Sequence, residues 1–416
     1  QGARKTMEKK VVVAVIGCGC IANAAHIPSY MNNPDVVIKY FCDIIPERAE
    51  AAVKQYGVGT AVTDYHEVLA DVAEIAPKCE EWVNDPARLW RVKCPFNWWI
   101  FAAMGGVVFA AVAPFARRAW RSGASSSFCK SDQEIASPFG FPWWGWVGVA
   151  VMTVGWVIAW NRFECCRAIQ RYPYVAQWAG FIVLVNALCV KRAGWCPLTD
   201  RTKSYLLLFP ASSLFWWFFE YLNRYVWNWF YIGVPGIGPV EYVIFATVCF
   251  ASVLPGVVAV AALLGTFKVF DEAAYAGMAK VDIRSGVSVV TLAGLTLIGL
   301  AGIVFFPQFA YPLLWISPLM GFVLVQVMFK EKCVLDVLAD GNWGIVFRFA
   351  IAALVCGLVW ETWNYYSLAK WIYNVPWAER FKVWEMPVMG FAGYLPFGME
   401  CAVIAAWIDE RLIRRG

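Results

Sequence analysis

Apolar residues along this chain follow two different rhythms. Up to about residue 78 they come in short runs divided by charged, helix-forming stretches. Val11–Ile16 is a β-branched run of strand length, followed by a helical stretch to about Met31 and a second strand at Val36–Cys42. Pro46 stands where a helix starts and Glu47–Tyr56 continues it, with a short strand near Thr60–Thr63 and a further helix from His66 to Ile75. From about Trp98 the rhythm changes to apolar runs of roughly 17–25 residues, each long enough to cross a bilayer. Nine candidate spans result: Trp98–Phe115, Trp143–Trp160, Tyr174–Val190, Tyr205–Phe219, Val240–Leu264, Val287–Phe306, Tyr311–Phe329, Ile345–Trp360 and Pro387–Trp407.

The apolar part repeats itself. Gly180-Phe181 recurs as Gly321-Phe322, and Glu220-x-x-Asn223 as Glu361-x-x-Asn364. Val234-Pro235 recurs as Val375-Pro376, and Leu254-Pro255 as Leu395-Pro396, every pair at an offset of 141 residues. Trp229-x-Tyr231 and Trp371-x-Tyr373 match at 142. A constant offset over so many pairs marks a duplication. The expected organisation is a partial dinucleotide-binding domain (1–78), a linker (79–97), an extra span and loop (98–142), repeat one (143–264), a polar loop (265–286) and repeat two (287–416). Each repeat holds four spans, and an even number gives both copies the same orientation about an axis along the membrane normal.

Composition sharpens this picture. Hydrophobic residues make up 60% of the 416 positions and charged residues 16%, against about 45–50% and about 25% in soluble proteins. The expected class is therefore an integral membrane protein with the bilayer as its main partner. The 24 Trp and 17 Tyr suit interfacial belts, to which the Trp-x-Tyr pairs and Trp216-Trp217 are assigned. A formal charge of +5 gives no sign of nucleic-acid binding. Two histidines, and cysteines without a CxxC pair, leave no expected metal site.

Between the first strand and first helix lies Gly17-x-Gly19-x-x-Ala22. In a strand–turn–helix unit such spacing permits a tight turn, lets a pyrophosphate approach the backbone and allows close helix packing. Asp43 closes the next strand, where a carboxylate can accept hydrogen bonds from ribose hydroxyls. Together with Ile21-Ala22, His26-x-Pro28, Pro46-Glu47-Arg48-Ala49, Tyr56-Gly57 and Thr63-Asp64-Tyr65, these residues resemble the Gfo/Idh/MocA family of NAD(P)-dependent oxidoreductases over about 70 residues. The resemblance implies a truncated Rossmann-like α/β domain binding NAD through Gly17, Gly19, Ala22 and Asp43. It departs from the family after Ile75, where the fourth strand, the Glu-Lys-Pro element and the C-terminal substrate domain are missing. Weak NAD binding without dehydrogenase turnover is the expectation, and His26 reads as a structural helix residue.

Carboxylates in bilayer spans are costly and so point to function. Glu220 with Asn223, and Glu361 with Asn364, lie three residues apart on shared helix faces at equivalent span ends. They are the candidate catalytic residues, expected to meet in one polar pocket between the repeats with Glu400 as a third acid. Glu241 and Glu385 begin the following spans. The Trp-x-Tyr segment followed by Glu385-Met386-Pro387 is similar to the membrane lycopene cyclases, which implies acid catalysis on an isoprenoid by a buried carboxylic acid. Three readings remain open: a membrane protein carrying a nucleotide-binding fold, a lipid- or isoprenoid-modifying enzyme, and a transporter or structural protein. The bias of Lys and Arg puts the C-terminus in the cytoplasm, with the plasma membrane as the expected location.

Overall fold

The computed structural model describes residues 11–19, 22–34, 36–65, 67–68, 94, 96–125, 139–232 and 238–414. The expected helix at 66–75, the linker and the missing fourth strand lie almost wholly outside them. The chain divides into two compact units, Gln1–Arg88 and Leu89–Gly416.

In the first unit β1 (Val11–Ile16), β2 (Val36–Cys42) and β3 (Thr60–Val62) form a parallel sheet in the order β1-β2-β3. Helical turns at Ala22–His26 and α1 (Ile27–Met31) link the first two strands. Helix α2 (Pro46–Tyr56) starts on a proline, whose missing N–H costs nothing at a first turn, and ends on Gly57 at φ 69°. Ile27, Phe41 and Ala49 are fully buried.

Among the described residues of the second unit, seven helices are long and apolar enough to cross a membrane, and eight are if one bent pair counts as a span. The chain is an integral membrane protein. Helix α3 (Trp98–Ser125) stands outside the repeat; Asn97 Oδ1 caps its start by accepting the N–H groups of Trp99 and Ile100. Repeat one comprises α4 (Trp143–Trp160), α5 (Pro173–Ala193), α6 (Thr202–Val226), strand β4 (Trp229–Ile232), α7 (Pro239–Phe250) and α8 (Val253–Leu264). Repeat two comprises α9 (Gly286–Phe305), α10 (Ser317–Met328), α11 (Gly344–Tyr365), β5 (Lys370–Tyr373) and α12 (Tyr394–Ile408).

Two of the nine expected spans differ from simple crossings. Helix α6 covers Tyr205–Phe219 and is 25 residues long, but its Tyr, Ser, Trp, Glu and Asn residues keep it below the apolarity of a span. The Tyr311–Phe329 run bends by 49° between Pro307–Trp315 and α10. Pro318 in the first turn of α10 and Pro312 just before the bend both restrict the chain there.

Helices α4 and α5 touch through glycines: a Cβ on Gly180 would stand 2.4 Å from the backbone nitrogen of Met152. The repeats meet in an aromatic core, where Phe219 stacks on Trp315 at 5.2 Å and Phe215 on Phe397 at 5.8 Å. Strands β4 and β5 then join the repeats as an antiparallel ribbon. Trp229 pairs with Tyr373 and Tyr231 with Trp371. Each strand therefore meets the other copy's version of itself, as a local two-fold axis requires.

Candidate functional site

Glu220 ends the inner face of α6 and Glu361 that of α11. Glu220 Oε1 accepts three hydrogen bonds, from Trp216 Nε1 at 3.1 Å, Trp229 Nε1 at 2.9 Å and the Tyr231 hydroxyl at 2.6 Å. Glu361 is fully buried. Its Oε1 accepts from the hydroxyls of Tyr373 at 2.5 Å and Tyr394 at 3.2 Å, while Oε2 is buried with no hydrogen-bond partner. The Trp371 indole donates to the Tyr373 hydroxyl at 2.6 Å.

The two asparagines are committed to backbone. Asn223 Nδ2 donates to the Trp229 carbonyl, and its Oδ1 accepts the Asn228 N–H at 2.8 Å. Asn364 grips Trp371 by both its carbonyl (2.7 Å) and its N–H (2.9 Å). Each amide thus fastens a ribbon strand to the helix that carries the acid. They hold the Trp-x-Tyr donors in place and point no donor at the carboxylates.

The donors line one cavity of about 140 Å³. Its walls are built from repeat-related pairs: Tyr174 with Trp315, Phe245 with Met386, Cys249 with Gly390 and Val253 with Tyr394, each at offset 141, and Trp229 with Trp371 and Tyr231 with Tyr373 at 142. Trp216 and Trp360 add to these walls, and Arg171 and Lys370 also line the cavity. The cavity therefore lies between the repeats on their local two-fold axis. It departs from the polar pocket expected: its surface is mostly aromatic and aliphatic, and Glu220 and Glu361 stand behind the tryptophans and tyrosines. That also corrects the assignment of Trp216 and the Trp-x-Tyr pairs to an interfacial belt. Trp217 turns away from the acid and donates to Thr247 Oγ1 at 2.9 Å.

The remaining acids lie elsewhere. Glu400 does not line the cavity; it is fully buried in α12, against the Leu319 backbone N–H, and neither oxygen makes a hydrogen bond of normal geometry. Glu241 accepts the Tyr172 hydroxyl, which holds that phenol above its usual range. Glu385 pairs with Lys370 at 2.5 Å at the cavity rim. Tyr174 and Tyr394 were missed as site residues; as single positions they carry no signal, but the offset of 141 ties each to another wall residue.

In the first unit Gly17 adopts φ 92°, a turn a side chain would strain, and its N–H donates to the Cys42 carbonyl at 2.7 Å. Gly19 has open space where a Cβ would stand, and Ala22 is buried against the sheet. Asp43 is buried, and both its oxygens are engaged: Oδ2 accepts the Cys18 N–H at 2.8 Å and Oδ1 the Ile45 N–H at 3.0 Å. Its carboxylate closes the glycine turn, where the resemblance implies a ribose contact. Burial and then the Asp43 charge raise the Cys18 thiol.

No family model, curated protein or solved structure matches this chain.

Proposed function

We propose that the membrane unit is a lipid- or isoprenoid-modifying enzyme that takes its substrate into the cavity between the repeats and acts on it by acid catalysis. The observation that carries this reading is the pairing of repeat-related aromatic walls with one glutamate behind each half. Flat aromatic walls receive an unsaturated hydrocarbon through their faces, and they stabilise positive charge developing on it. Glu361 is the acid, and Tyr373 and Tyr394 carry its proton to the cavity, because a hydroxyl both donates and accepts. A proton added to one alkene carbon and lost from a neighbouring one rearranges a substrate without redox change and without a metal or cofactor. Asn223 and Asn364 are positioning residues.

Lipid extraction and mass spectrometry of the purified full chain test the reading. A co-purifying unsaturated lipid, lost in Tyr394→Trp, supports it. A protein stripped of every lipid except bulk phospholipid ends it.

A second reading concerns the first unit, where a parallel sheet with Gly17 at the end of β1 supports a weak NAD site. Asp43 weighs against the family's ribose contact, since both its oxygens hold backbone. Titration calorimetry with NAD on the full chain, against Gly19→Val, decides it. The charge bias favours a cytoplasmic C-terminus in the plasma membrane, and a C-terminal reporter active only outside the cytoplasm would overturn that.

A further inference from the structure

The walls of the cavity are two-fold symmetric, but its cations are not. Arg171 lines it from just before the start of α5, and the equivalent position in repeat two is Pro312. Lys370 lines the other half. That ammonium is satisfied, donating to the Tyr365 carbonyl at 3.2 Å and paired with Glu385. The Arg171 guanidinium is half-buried and makes no hydrogen bond or salt bridge among the described residues. A guanidinium brought to the wall of an aromatic cavity and left with its donors open is a seat for a planar or tetrahedral oxyanion.

We infer that the substrate is an amphipathic lipid with an anionic head, phosphate or carboxylate, seated on Arg171 and with its hydrocarbon tail between the paired aromatic walls. This rests on the reading above and adds charge and direction to it. A two-fold cavity accepts an elongated ligand equally well either way round. A single open guanidinium removes that ambiguity and fixes the head at the start of α5. Tyr174, one turn on from Arg171, packs against Trp371 at 5.8 Å, so a head seated there lies near the half of the cavity that holds Tyr373 and Tyr394. Phe245 stands between the cavity and an open groove lined by Val240, Ile244 and Val248 together with Tyr172 and Glu241, so the tail has apolar surface to follow from the helix exterior.

The test uses the full chain in neutral phosphatidylcholine nanodiscs, with quenching of the cavity tryptophans by farnesyl phosphate and by farnesol. The inference expects farnesyl phosphate to bind about tenfold or more tightly than farnesol, a charge-assisted hydrogen-bond contribution. Arg171→Gln should erase that preference and leave farnesol binding unchanged, and Arg171→Lys should keep most of it. Equal binding of the two probes to the unaltered protein, or a preference that survives Arg171→Gln, overturns the inference while leaving a neutral-lipid enzyme standing. Failure of both probes to quench overturns the lipid reading itself. Inorganic phosphate is the last arm: if it competes at the same concentration as farnesyl phosphate, the seat serves a free anion and the lipid assignment falls.

Discussion

Glu220 and Glu361 occupy the same place in two copies of one motif, yet the space beside each is filled from opposite helices. In repeat one Trp216, a turn before the acid, supplies an indole, and the facing helix offers only Val253. In repeat two the position of Trp216 is Gly357 and that of Val253 is Tyr394. A Cβ on Gly357 would stand 2.4 Å from the Tyr394 ring, so the missing side chain is what admits the tyrosine. The exchange conserves volume and changes chemistry. An indole N–H only donates, whereas a phenol also accepts and can pass a proton on. Repeat one thus holds one carboxylate oxygen with three donors, and repeat two holds one with two hydroxyls and buries the other without a partner. Duplication provided the frame, and one large-for-small swap across a helix pair made the halves unequal.

The largest test of that inequality is turnover. Glu361→Gln should cost at least about 100-fold once a substrate is in hand, the usual worth of a general acid. Glu220→Gln should cost no more than about tenfold, since its role is to hold three donors. Equal losses would mean that the two sites work alike.

Next comes the swap itself. Gly357→Trp alone drives an indole into the Tyr394 ring and should destabilise the protein by about 3 kcal/mol. Tyr394→Val alone leaves a void and should cost about 2–3 kcal/mol. The double variant rebuilds the repeat-one arrangement and should recover at least about 1 kcal/mol of the sum, measured as detergent melting temperatures. Strict additivity would show that the two positions do not share one space.

Smaller and symmetric effects belong to the asparagines. Asn364→Ala strands a buried N–H and carbonyl of Trp371 and should cost about 2 kcal/mol, with Asn223→Ala close behind. Hydrogen exchange should quicken in both ribbon strands whichever amide is removed. Protection of one strand surviving loss of its own clamp would refute the positioning role.

The smallest effect lies in the loop between α5 and α6. Asp200 accepts the Cys196 N–H and the Thr199 hydroxyl, and these hold its carboxyl below the usual carboxylate range. A depressed folded value gives stability that is present above the unfolded value, near pH 4, and is lost as pH falls through the folded one. In so exposed a residue the loss should stay under about 0.5 kcal/mol. In repeat two the position 141 residues on is Gly341, at φ 76°, and there it is Asp336, paired with Arg284, that accepts the Cys333 N–H. Asp200→Asn should flatten the melting temperature between pH 5 and 3 by that small amount.

How far the sequence carried the fold depended on what each signal encodes. The strands Val11–Ile16 and Val36–Cys42, the proline start of α2 and the position of most spans were legible, because run length and β-branching report local structure directly. The bend before Ser317 was not, since apolarity continues through it while only its prolines interrupt the helix. Among site residues the acids were legible from their cost in a bilayer, and the duplication placed them together. The direction of Trp216, Trp229 and Tyr231 was not legible. Aromatic residues at a span end satisfy an interfacial belt or an internal cavity with the same composition, and only packing separates the two. Asn223 and Asn364 were legible as paired positions, but spacing alone could not tell a donor aimed at an acid from one holding a strand.

The ribbon between the repeats carries an implication about assembly. Because β4 meets β5 across a two-fold axis, its edge is self-complementary, and the cavity walls beside it are matched halves. A polypeptide holding one repeat would meet a second copy of itself through that same isologous contact and enclose the same chamber. Fusion of two such subunits changes no contact at the seam. What it adds is independence: each half can then mutate alone, as Gly357 and Tyr394 have done.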